Sequence, residues 1–98
     1  MNMPSHAFAA SLIIDVRSPG EFASGHVRGA VNIPLDRLAD DIAKAVPEKS
    51  APVILYCATG GRSSLACSYM QQMGYRQVSN GGSAGAVSMQ SGLPIDRL

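Results

Sequence analysis

The sequence contains no tryptophan, and Phe and Tyr together supply only 5% of its residues. A chain so poor in flat side chains offers little on which nucleic-acid bases could stack. Charge is sparse as well. Eight Lys and Arg face seven Asp and Glu, a net of +1, which gives no electrostatic reason to propose nucleic acid or an anionic membrane as partner. Long apolar runs are missing; none reaches the roughly 18 residues needed to span a bilayer. The opening MNMPSHAFAASLIIDV has no basic leader before its apolar part and does not read as a signal peptide. The expected location is the cytoplasm. Cysteine occurs only at Cys57 and Cys67, too few for the disulfide framework of a small secreted domain. There is no Cys-x-x-Cys, and His6 and His26 lie far from both cysteines, so no metal-ligand spacing is visible.

What remains is an ordinary globular composition, 46% hydrophobic and 15% charged over 98 residues, a length suited to one domain. LIIDV (12–16) is β-branched and apolar at successive positions, the pattern of a strand buried on both faces. In SPGEF, Ser18 and Glu21 have capping-box spacing and Pro19 falls at the first helical position. A short helix is expected there, stopped at Gly25. AVNIP (30–34) reads as a strand. Leu35, Leu38, Ile42 and Val46 recur at helical spacing over about three turns. PVILY (52–56) is the best central strand. Residues 63–73 read as a helix with Leu65, Tyr69, Met70 and Met73 as its apolar side. QVSN is a short strand, and GGSAGAVSMQSG holds a turn and a last short helix. Strand and helix alternate throughout, so the fold class is α/β: an open, largely parallel sheet with helices on both faces. Ligands of such sheets sit beyond the carboxyl ends of the strands.

Cys57 stands at that end of the best strand, in LYCATGGRSS (55–64). It could be a packed thiol, part of a phosphate cradle or a sulfur nucleophile. Gly60 and Gly61 permit a tight turn. A helix starting near Ser63 aims its free N–H groups and positive dipole end at the loop. Amides of residues 58–63 can then converge on one point and lower the pKa of a thiol placed there. Arg62 adds a fixed positive charge, for an incoming anion or for the loop's own carbonyls. Four residues separate Cys57 from Arg62. Cysteine phosphatases use one more, because their loop wraps a tetrahedral phosphate. The shorter bowl suits a single transferred sulfur atom better.

Three blocks then resemble the single-domain rhodaneses, thiosulfate or persulfide sulfurtransferases, over Leu12 to about Pro94. LIIDVRSPGEFASGHVRGAVNIP resembles the family's Asp-Val-Arg opening with its Glu-Phe, Gly-His and Gly-Ala-x-Asn-Ile-Pro elements. ILYCATGGRSS resembles the active-site loop beginning at the catalytic cysteine. GYRQVSNGGSAGAVSMQSGLPI resembles the tail with its Gly-Gly turn. The resemblance implies one rhodanese domain over 1–98 with its core at 12–94, and a catalytic Cys57. It implies a sulfur-binding loop of Ala58, Thr59, Gly60, Gly61, Arg62 and Ser63. Cys57 would take the sulfane sulfur of a donor such as thiosulfate and pass it to cyanide or a thiol through a persulfide, with no metal or organic cofactor. Two features depart from the family. Extra basic residues often flank the family cysteine, whereas Ala58, Thr59 and Gly61 leave Arg62 as the loop's only charge. The tail has no Trp after its Gly-Gly. The contrasting readings are a non-catalytic rhodanese-fold binding or sulfur-carrier module, and a phosphatase or arsenate reductase.

Asp15 and Arg17 end the first strand, and in the family these positions help brace the active-site loop; a buried charge needs a partner. Glu21 is read as a helix N3 residue, His26 as structural and Arg28 as a solvated charge. Cys67 is read as packed within its helix, Ser63 and Ser64 as caps of that helix, and Met70 and Met73 as core.

Overall fold

Every residue of β4 (Val53–Cys57) is buried, because both of its faces are covered. In the computed structural model, which describes residues 11–98, β4 lies in a four-stranded sheet ordered β3-β1-β4-β5. The strands are β1 (Leu12–Asp15), β3 (Val31–Asn32) and β5 (Val78–Ser83), all paired parallel. The opening segment, residues 1–10, lies outside the described residues. Alternate side chains enter two cores. Ile14, Val53, Leu55 and Cys57 face α2 (Leu38–Ala45) and α3 (Gly61–Gln72), packing on Leu38, Ile42, Ala66 and Met70. Ile13, Ile54 and Tyr56 face the other way, onto Val27 and onto Val87 of α4 (Ala84–Ser91). The expected α/β class, with a parallel sheet and helices on both faces, is the one observed.

The capping box is present as read. Ser18 Oγ accepts the Glu21 N–H and Glu21 Oε1 accepts the Ser18 N–H, each at 3.2 Å, opening α1 (Pro19–Ser24). Four local expectations differ. The helix read as 63–73 begins at Gly61, with Gly60 as its N-cap at φ +98. That left-handed turn lets the chain enter the helix directly, so Ser63 and Ser64 do not cap it. Its buried face is Ser63, Ala66 and Met70, whereas Leu65 and Tyr69 are exposed. Small residues at 63 and 66 bring the helix close to the sheet and fix that rotation. The strand read as QVSN (77–80) begins one residue later and runs three residues further, as Val78–Ser83. Finally, β2 (His26–Val27) and β6 (Ile95–Asp96) form a separate antiparallel pair; two-residue strands carry no readable periodicity. Among the described residues, no helix is long and apolar enough to cross a membrane.

Candidate active site

β4 delivers Cys57 to its carboxyl end, and the chain folds back over the sulfur. The Gly60 N–H donates to Sγ at 3.0 Å. Ser63 Oγ stands 3.5 Å from Sγ, and the N–H groups of Thr59 and Ser63 also stabilise the sulfur. Burial is the largest single influence on this thiol and pushes its pKa up. The Ser63 hydroxyl and the amides of Ser63, Gly60 and Thr59 together outweigh it, bringing the group down to about 7. An anion at Cys57 Sγ therefore meets several donors already in place, with only 1% of the residue exposed.

Arg62 lies at the start of α3. Its guanidinium makes a fork on Glu21, Nη1 to Oε1 at 2.7 Å and Nη2 to Oε2 at 2.9 Å. The capping box already fixes the Glu21 carboxylate, so α1 presents it ready for this pairing. Arg62 holds the Glu21 carboxyl down to about 2, and Glu21 raises the Arg62 pKa in return. Glu21 is thus both the expected N3 residue and an ion-pair partner. Beside Arg62 opens a cleft of about 420 Å³, whose walls include Val16, Leu35, Asp36 and Tyr69.

Residues 3–84 match the rhodanese-like domain. The chain belongs to the rhodanese-like family. It is 43% identical to the thiosulfate sulfurtransferase PspE of Escherichia coli strain K12, over 84% of this chain and 79% of that protein. It is 34% identical to a sulfurtransferase of Allochromatium vinosum, over 86% of this chain and 77% of the relative. A solved E. coli rhodanese with anions superimposes with a TM-score of 0.83 at 37% identity, over 91% of this chain and 100% of that one.

Within this rhodanese-like chain, the other singled-out residues fall into separate places. Asp15 and Arg17 form a buried pair, with Arg17 Nε 2.9 Å from Asp15 Oδ1 and Arg17 Nη2 donating to the Gly25 carbonyl at 2.6 Å. Their side chains bond each other and the end of α1, and the Asn32 amide donates to both of their carbonyls, at 3.0 and 2.9 Å. Asp15 pairs in register with Tyr56, so its side chain shares the Tyr56 face, opposite Cys57. The Arg17 guanidinium lies 5.5 Å from the centre of the Tyr56 ring. His26 stacks on Phe22 at 3.8 Å and bonds its carbonyl through Nδ1 at 2.9 Å. Arg28, read as solvated, is exposed but paired with Asp96 at 3.0 Å. Cys67 packs against the α2/α3 core, and burial pushes its thiol up to about 11. Ser63 is fully buried and turned toward Cys57 and Asn80. Asn80 escaped the sequence reading, although the Asn-Gly-Gly run marks a turn at that place.

Proposed function

We propose that this protein is a sulfurtransferase that carries sulfur on Cys57. One observation bears most of the weight: amides and a buried hydroxyl converge on a cysteine sulfur at the carboxyl end of the central strand. The likeness to named sulfurtransferases supports the same reading. In the forward step, the Cys57 thiolate attacks the outer sulfur of thiosulfate. The sulfur–sulfur bond of the donor breaks, sulfite leaves with the electron pair, and a Cys57 persulfide remains. Cyanide or a thiolate then attacks the outer sulfur. The persulfide bond breaks, and the electron pair returns to Cys57 as thiolate. The loop N–H groups serve both stages, because negative charge sits on sulfur in each. Ala58, Thr59, Gly60, Gly61, Arg62 and Ser63 form the sulfur-binding loop. Asp15 and Arg17 support it from the far face of the sheet.

The test is intact mass after incubation with thiosulfate. Wild type should gain one sulfur, about 32 Da, and lose it on addition of cyanide. Cys57→Ser should show no gain. A gain that persists in Cys57→Ser, or thiocyanate formed by that variant, refutes the role given to Cys57.

A further inference from the structure

The pairing of β5 with β4 slips at one place. Leu55 pairs with Asn80, but Tyr56 pairs with Gly82, which leaves Gly81 as the extra residue of a bulge. A side chain has no room there. A Cβ on Gly81 would lie 2.6 Å from Val87 Cγ2 and 3.0 Å from Ile54 Cγ2. Bulges beside active sites re-aim a neighbouring side chain, and here the neighbour is Asn80. Asn80 Nδ2 donates to the Gly60 carbonyl at 3.1 Å. Asn80 Oδ1 accepts the Gly82 N–H at 2.9 Å and the Ser63 hydroxyl at 2.7 Å. Together these partners fix which end of the amide is oxygen.

The Ser63 hydroxyl has one hydrogen and two acceptors within reach, Asn80 Oδ1 at 2.7 Å and Cys57 Sγ at 3.5 Å. Ser63 is fully buried, so the choice lies between these two. While the hydrogen points at Asn80, the hydroxyl oxygen is free to accept the S–H of a protonated Cys57. Once it points at sulfur, it stabilises a thiolate, and Asn80 Oδ1 keeps the Gly82 N–H. We propose that Asn80 is a positioning residue that holds the Ser63 hydrogen while the Cys57 sulfur is uncharged and yields it when that sulfur becomes an anion. Asn80 thereby favours the uncharged sulfur. This rests on Cys57 being the reacting group and involves no covalent step. The benefit is nucleophilic strength: a thiolate of very low pKa attacks poorly, and the best attacking thiol has a pKa near ambient pH.

Among the described residues, no titrating neighbour supplies the effect instead. Arg62 of α3 is the charge nearest in sequence, and Glu21 of α1 holds it. The pair of Asp15, which ends β1, with Arg17 lies on the other face of the sheet. The strand VSNGGS and the helix AGAVSMQS, which pack beside the loop, contain no charged residue.

The experiment follows Cys57 alkylation by iodoacetamide against pH, read by peptide mass on the full chain. It reports the thiolate whether or not sulfur is transferred, so it stays separate from the fate of the sulfurtransferase reading. The proteins compared are wild type, Asn80→Leu, Asn80→Ala, Ser63→Ala and the Asn80→Leu/Ser63→Ala double variant. Both Asn80 variants should lower the midpoint, raising the thiolate-to-thiol ratio at about pH 6 by roughly three- to tenfold, the scale of one hydrogen bond. Ser63→Ala should raise the midpoint, and Asn80→Leu should change nothing further in that background. A residue that merely anchored the loop through Gly60 would loosen the amides when lost and raise the midpoint. A raised or unmoved midpoint in a folded Asn80 variant overturns the proposal. So does an unmoved midpoint in Ser63→Ala, or an Asn80→Leu shift that survives without Ser63. Two sizes of substitution at 80 let one decide where the other does not fold.

Discussion

Cys57 Sγ accepts the Gly60 N–H at 3.0 Å, while Cys67 packs on the apolar core and has no such donor raising its acidity. The first thiol sits at about 7 and the second at about 11. Only the thiolate alkylates or attacks sulfur. Below about pH 7, Cys57 labelling should rise close to tenfold per pH unit, then level off, while Cys67 labelling keeps climbing through pH 9. Peptide mass after brief iodoacetamide treatment separates the two. Equal labelling at neutral pH would contradict the environments described. Cys57 was legible because a strand end, two glycines and a helix start adjoin it in sequence. Asn80 was not, because its approach depends on a bulge whose cause is the packing of Gly81 on Ile54 and Val87.

At the scale of elements, adjacent residues of β4 serve opposite faces. Tyr56 is fully buried on the face away from the Cys57 sulfur, and its hydroxyl oxygen accepts the Val27 N–H at 3.1 Å. Burial pushes the phenol up to about 12, so it stays protonated near neutral pH. Tyr56→Phe leaves the buried Val27 N–H without that acceptor and should cost about 1–3 kcal/mol in urea unfolding. Loss well below that range would mean that the strand finds another acceptor. The strands and helices themselves were readable from apolar periodicity and from the Ser18–Glu21 spacing. The face of α3 was not. Leu65 and Tyr69 are the more apolar candidates, yet Ser63 and Ala66 are inside, since close approach to the sheet favours small side chains over hydrophobic ones.

Over the whole molecule, charge is nearly balanced, and the loop's single cation is balanced too. Arg62 is bound to Glu21, and Asp36 stands in the wall of the adjoining cleft. A doubly charged donor such as thiosulfate gains little attraction from a cation already paired in this way. Glu21→Gln leaves Arg62 uncompensated. It should raise kcat/KM for thiosulfate by roughly threefold at low salt, with the gain fading as ionic strength rises. Steady-state rates across a salt series test this, and a fall in kcat/KM would mean that Glu21 aims Arg62 at the donor. The residue types were visible in the sequence, but their pairing was not. It spans 41 positions and depends on α1 and α3 presenting their first turns to each other.

The pairing of β2 with β6 has a consequence in time. Arg28 and Asp96, joined at 3.0 Å beside it, are 68 residues apart. Closing so long a loop is entropically late, and a two-residue ladder returns little for it. Such a strap is expected to be late to form and early to open. The Leu98 N–H bonds the Ala23 carbonyl, and Arg97 bonds that of Ser24, so the same strap steadies the end of α1. Because α1 also carries Glu21, the strap and the grip on Arg62 share one short helix.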